Sequence, residues 1–241
     1  MALYVIADLH LSCGDGTDKS MEVFGNRWAG YTERLCRNWT RLVTSEDTVI
    51  IPGDISWALT LAEAREDLAL IDRLPGKKIL MKGNHDFWWS SMKKMDEFCR
   101  RNQFTTLSFL YHDACRVEGK ILAGTRGWLW GDNPETGAAE EKKILAREAL
   151  RLEMSLSAAR RLREETPECE IIAFFHYPPV WSGSHCPALT EPLSRDGVRR
   201  CYFGHIHGIT GARKTQKNGI TYCLTAADAL DFTPYFIPEE P

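Results

Sequence analysis

Short, continuous apolar runs alternate along this chain with longer stretches in which apolar residues recur every three or four positions. The runs at residues 3–7, 48–51, 78–81, 120–123, 170–175, 200–203 and 220–224 predict strands, and their lack of polar alternation predicts burial on both faces. Between residues 31 and 43 the helical period sets Leu35, Trp39, Leu42 and Val43 on one face. Thr60 and Glu63 form a capping box ahead of Ala64, Leu68 and Ile71. From about 138 to 165, Leu145, Ala149, Leu152, Leu156 and Ala159 keep one stripe until Pro167 stops it. Strand–helix–strand alternation in the first half predicts right-handed βαβ units in a mostly parallel sheet. The strand-richer second half predicts a second, mixed sheet. Without an internal repeat, low-complexity tract or linker, the chain reads as a single α/β domain over residues 1–241.

Composition narrows the class of function. With 241 residues, 44% hydrophobic and 26% charged, disordered, collagenous and fibrous chains are excluded. Thirty basic against 33 acidic side chains give a formal charge of −3, which argues against dedicated nucleic-acid binding. An anionic substrate remains compatible with that balance, because a metal site supplies positive charge that a side-chain count misses. The apolar runs fall far short of the roughly 18 residues of a membrane span, and no basic, cleavable leader opens the chain. Eight scattered cysteines contain no Cys-x-x-Cys, and Cys201 and Cys223 sit inside apolar runs as small hydrophobes. Reduced thiols and a cytoplasmic location are expected.

Histidine carries the chemical signal. Five of the seven lie in short polar segments that follow predicted strands: Asp8-Leu9-His10, Gly83-Asn84-His85-Asp86, Phe175-His176-Tyr177 and Gly204-His205-Ile206-His207. Gly53-Asp54 ends a further strand in the same way. Ligands of open α/β sheets bind beyond the carboxyl ends of strands, so these segments are placed to converge on one crevice. Asp8 and His10 are two apart, as are His205 and His207, and on extended backbone each pair points to one side. Gly53 and Gly83 let the backbone turn as it leaves its strand. Imidazoles mixed with two carboxylates and an amide oxygen suit Mn²⁺, Fe or Zn²⁺ better than Ca²⁺ or Mg²⁺.

In this order the segments resemble the signature of the calcineurin-like metallophosphoesterase superfamily: Asp-x-His, Gly-Asp, Gly-Asn-His-Asp/Glu, a lone His, then Gly-His-x-His. The resemblance spans about residues 4 to 210 and implies a four-layer αββα sandwich of two mixed sheets flanked by helices. It implies two divalent metal ions, one held by Asp8, His10 and His207 and the other by Asn84, His176 and His205, with Asp54 bridging. It further implies hydrolysis of a phosphodiester or phosphomonoester by in-line attack of a metal-bridging hydroxide. His85 would assist the leaving group as a catalytic acid, and Asp86 would orient that imidazole or its loop. For Asp86 a helix N-cap is the competing reading.

Gly53-Asp54-Ile55-Ser56-Trp57-Ala58 lacks the Gly-Asp-x-x-Asp-Arg-Gly of the protein phosphatase branch. The chain looks instead like the small stand-alone bacterial-type phosphohydrolases, with a phosphorylated small molecule or nucleotide as substrate. A nucleotide pyrophosphohydrolase and a non-catalytic protein-binding scaffold of the same fold are the alternatives, and the complete ligand set argues against the scaffold. Arg126, after a predicted strand, is a candidate for a phosphoryl oxygen, with a salt bridge to a loop carboxylate as the competing reading. Trp57, Trp88, Trp89, Trp128, Trp130 and Trp181 lie behind motifs or in the 125–137 loop. They either wall a cleft or pack beneath the loops, and packing is the favoured reading. His185 and His112 read as loop residues.

Overall fold

All seven predicted strands form, and each lies inside a stack of layers. The computed structural model describes residues 1–14, 19–128, 139–211 and 213–239. The first sheet takes β1 (Leu3–Val5), β2 (Thr48–Pro52), β3 (Lys77–Met81) and β4 (Leu107–Phe109). The second takes β5 (Ala114–Val117), β6 (Lys120–Thr125) and β7 (Glu170–Phe175). A short hairpin of β8 (Val180–Trp181) and β9 (Ser184–His185) leads on to β10 (Arg200–Phe203), β11 (Lys214–Lys217) and β12 (Ile220–Leu224) of the second sheet. The chain then returns to the first sheet as β13 (Tyr235–Ile237).

The first sheet has the order β13-β1-β2-β3-β4, parallel except for β13. The second has the order β11-β12-β10-β7-β6-β5, a parallel centre with one antiparallel strand at each edge. Within these two sheets, the strands that no apolar run announced, β4, β5, β11 and β13, are all outermost. Three of them, β4, β5 and β11, carry no fully buried residue.

Helices α1 (Tyr31–Leu42), α2 (Arg65–Arg73) and α3 (Met92–Arg101) cover the first sheet, and α4 (Ala139–Glu165) and α5 (Pro187–Arg195) cover the second. Three cores separate four layers. Val49 and Ile51 of β2 face Leu35, Trp39, Leu68 and Met95 on the helices. Ile50, between them in sequence, points the other way into a core shared by both sheets with Ile172, Phe174 and Tyr202. On β7, Ile171, Ala173 and Phe175 meet Leu152, Leu156 and Ala159 of α4. Two-sided burial is why these runs are apolar without alternation. The architecture is a four-layer αββα sandwich of two mixed sheets.

Local signals shift slightly in three dimensions. Thr60 Oγ1 accepts from the Glu63 amide and the Glu63 carboxylate accepts from the amides of Leu59 and Thr60, so the capping box forms, but regular helix starts only at Arg65. Leu42, at the last turn of α1, is partly exposed while Val43 is buried. All eight cysteines are free. Among the described residues, no helix is long and apolar enough to cross a membrane.

Candidate metal centre

The carboxyl ends of the parallel strands gather at one edge of the sandwich, where backbone bonds stitch the two sheets together. Ala7, just past β1, pairs with Ala226, just past β12: its amide donates to Thr225 O at 2.8 Å and its carbonyl accepts from Ala227 at 2.8 Å. Within the second sheet, Gly204, after β10, donates to His176 O, after the neighbouring β7, at 3.1 Å. Segments from opposite ends of the sequence are thereby held within one crevice.

All seven ligands expected from the family resemblance lie there. Asn84 Oδ1 is 2.6 Å from His176 Nε2 and 3.1 Å from His205 Nδ1. His10 Nε2 and His207 Nε2 face each other at 3.2 Å. Between these groups, Asp54 Oδ2 is 3.5 Å from His176 Nε2 and 3.7 Å from His10 Nε2. Asp8 Oδ1 is 3.7 Å from His176 Nδ1. Two triads have ligand atoms mutually within 4.8 Å, Asp8–His10–His207 and Asp8–Asp54–His176, each able to hold an ion. Asp8 is common to both, and Asp54 reaches an imidazole from each side.

The local backbone is shaped for this convergence. Asp8, His10, Asp54 and His205 all adopt φ between 47° and 70°, a left-handed region costly for non-glycine residues and concentrated at functional sites. Gly53 turns with φ +95°. Gly83 needs no left-handed φ; it makes room, because a Cβ there would lie 2.1 Å from Asp54 Oδ1. Gly204 does the same for Asp8, whose carboxylate oxygens accept the His205 amide at 2.9 and 3.1 Å.

Partners outside the cluster set the imidazole tautomers. His176 Nδ1 lies 3.2 Å from Pro52 O, an acceptor, so Nε2 carries the lone pair toward the site. His207 Nδ1 meets Asp228 Oδ1 at 2.9 Å, which leaves its Nε2 facing His10. Asp228 also accepts from Gly208 at 2.9 Å and lies 3.6 Å from Arg27. No motif flagged Asp228; its signal was a polar residue just past the strand that ends at Leu224.

Burial dominates the electrostatics. It pushes His176 and His205 down to about 3, with neighbouring cationic groups adding to the effect at both. Burial and the imidazoles around it likewise push His10 well below its ordinary value. His207 goes the other way: burial opposes its proton, but the bond to Asp228 and the charge of Asp8 lift it. Asp8 and Asp54 are raised by burial, each against favourable contacts from imidazoles and amides. Divalent cations require neutral imidazoles and ionised carboxylates: the lowered His10, His176 and His205 already favour that form, whereas the raised Asp8, Asp54 and His207 would release protons as ions bind. His10 Nδ1 is buried without a partner. The donor set therefore fits a pair of borderline-soft divalent ions.

The remaining predicted residues take distinct positions. His85 is about a third exposed at the rim, with Nε2 4.0 Å from Asp54 Oδ2 and its ring 4.3 Å from that of Trp57. Fully buried Asp86 accepts from the amides of Gly83 (2.7 Å), Asp54 (2.9 Å), Ile55 (2.9 Å) and Ser56 (3.3 Å) and from the Trp88 indole (3.0 Å). Burial and the Asp54 charge push it up to about 7 against the pull of those amides. It ties two ligand loops together and does not touch the His85 ring. Arg126 Nη2 lies 3.5 Å from buried Glu148 and the guanidinium is 5.0 Å from the Trp128 ring, while its carbonyl accepts the amides of His176 and Tyr177.

Trp88 and Trp89 are buried in the first sheet's helical core, and Trp181 packs on Phe203. Trp57 stacks on His10 at 4.9 Å and reaches the cleft. Trp130 and most of the 125–137 loop lie outside the described residues. His185 sits in the β8–β9 hairpin, and His112 lies against Tyr111, pushed down to about 4 by burial.

Residues 1–208 match the calcineurin-like phosphoesterase family. The chain belongs to that family. No curated protein sequence matches it significantly. Among solved structures it is similar to phosphopantetheinyl hydrolase (PptH) from Mycobacterium tuberculosis, at 15% identity and a TM-score of 0.56, covering 100% of this chain and 96% of that one. It is also similar to the TT1561 protein of Thermus thermophilus, at 9% identity and a TM-score of 0.58, covering 94% and 89%. At these identities the likeness is one of fold. Family membership makes this chain a phosphoesterase hydrolase, and its cluster offers Asp and His groups that could hold metal.

Proposed function

We propose a cytoplasmic, dinuclear phosphoesterase in which Asp8, His10 and His207 hold one cation, Asn84, His176 and His205 hold the other, and Asp54 lies between. The observation that carries this reading is the meeting of all seven side chains, drawn from five strand ends, in one buried cluster. When bound, two divalent cations supply Lewis acidity toward phosphoryl oxygens and an activated water. The mixed nitrogen and oxygen donors favour Mn²⁺, Fe or Zn²⁺. The eight unpaired cysteines support a reducing compartment.

The protein's own residues divide the remaining work. His85, at the rim and close to Asp54, delivers a proton to the departing ester oxygen, a role typically worth about 10²–10⁴ in rate. Asp86 positions the Gly53–Asp54 and Gly83–Asn84 loops through its amide bonds. Asp228 holds the His207 ring in its ligating tautomer. Arg126, paired with Glu148, adds positive charge on the His176 side.

The deciding experiment is hydrolysis of bis-p-nitrophenyl phosphate and p-nitrophenyl phosphate by protein stripped with chelator and refilled with Mn²⁺. Asp54→Asn serves as the blank. Metal-dependent turnover well above that blank is expected, and the faster substrate separates diesterase from monoesterase. Turnover no higher than the blank with Mn²⁺, Fe²⁺ or Zn²⁺ refutes the enzyme reading and favours the scaffold.

A further inference from the structure

Beside the cluster opens a cleft of about 410 Å³, a size suited to a small organic group. Its floor is the reactive edge of the centre: His10, His85 and His207. Its walls are Met21, Phe24, Trp28 and Trp57, contributed by the segment before α1 and by the loop after β2. Trp28 is wedged edge-on against His10, His207, Tyr31 and Phe232, so this wall is rigid. Phe24 is 70% exposed, a large apolar ring left in water at the lip of a catalytic cleft.

The two charged residues of the lining outside the cluster, Arg27 and Asp228, have partners within the fold. Arg27 donates to Ile209 O at 2.6 Å and to Thr210 Oγ1 at 3.3 Å, and lies 3.6 Å from Asp228. Asp228 is taken up by His207 and Gly208. Trp57 Nε1, which is buried, is an unpaired donor in this lining. With few polar groups in the lining, a sugar or second phosphate seated here would lose more hydrogen bonds to water than it regained, whereas an apolar ring would cover the exposed Phe24.

From this we infer that the group esterified to phosphate in the substrate is aromatic or a comparably bulky apolar group, seated between Phe24, Met21 and Trp57. The inference rests on the phosphoesterase reading for the direction in which the substrate lies: ester oxygen at His85, organic group beyond it.

The test is calorimetric titration of two non-hydrolysable phosphonates, 2-naphthylmethylphosphonate and methylphosphonate, into the manganese-loaded protein. The naphthyl compound is expected to bind about 30-fold tighter, the order given by partly burying a fused ring. Phe24→Ala should shrink that gap at least fivefold, and Phe24→Leu should restore most of it. Because Phe24 is exposed, neither change threatens the core. Equal affinities, no binding of either compound, or a gap unchanged by Phe24→Ala overturns the inference. Turnover of 2-naphthyl phosphate, measured in parallel, keeps the two readings apart. Ring-selective binding without turnover refutes only the enzyme, and turnover without ring selectivity refutes only the cleft.

Discussion

At the scale of single residues, the centre is built from side chains whose own preferences are overruled. Four candidate ligand residues hold a left-handed backbone that a free chain seldom adopts, and the surrounding amide bonds keep them there. Asp228 shows how a residue without a motif tunes one that has it. Replacing Asp228 with alanine frees the His207 ring to rotate and to change tautomer. Metal affinity should fall by about 10- to 100-fold, the usual effect of removing such a support, with the fold intact. Competition against a chromophoric chelator, with circular dichroism as the control, measures this; unchanged affinity would mean that the His207–Asp228 bond does not orient the ligand.

At the scale of elements, strand ends matter more than strand middles, because each ligand segment inherits its place from the register behind it. Asp47 helps set that register. Its carboxylate accepts from the Ala2 amide at 2.7 Å and from the Thr44 amide and hydroxyl at 2.8 Å each, and its carbonyl accepts from Lys77 at 2.8 Å. It thus joins the starts of β1, β2 and β3. Burial opposes its ionisation, but the bonds from Thr44 and Ala2 outweigh it and hold the carboxyl below its ordinary value. A depressed carboxyl stabilises the fold above its unfolded pKa of about 3.9 and loses that contribution as pH falls through the folded value. Asp47→Ala should therefore cost about 1–3 kcal/mol near neutral pH. In urea melts the difference from the native chain should narrow below about pH 4; a constant difference would exclude a role for the charge.

At the scale of the whole molecule, three cores hold four layers, and none of them depends on the metal ligands. Chelation should therefore abolish activity while leaving the circular dichroism of the folded chain. Only the thermal midpoint should drop, by the linkage between bound ions and the native state. Collapse of the helical signal on chelation would instead identify a metal-stabilised binding module.

How much was legible in advance follows from where each signal is stored. Two-sided burial writes itself as continuous apolar runs, so the seven interior strands and the long helix could be read from residue order. Chemically unusual residues at strand ends could be read too, because Asp-x-His or Gly-His-x-His is improbable as mere turn chemistry. Edge strands β4, β5, β11 and β13 could not, since half-exposed segments need no distinctive pattern. Nor could Asp228, Trp28 or Phe24, whose places depend on contacts across the fold rather than on neighbours in sequence. By itself, then, the sequence determined the layer pattern and the candidate metal-ligating residues at the strand ends, both local in origin. Tertiary structure alone decided that Arg126 turns to Glu148, that Asp86 braces two loops, and that an apolar cleft opens beside His85. Those outcomes depend on distances between segments far apart in the chain, which only packing sets.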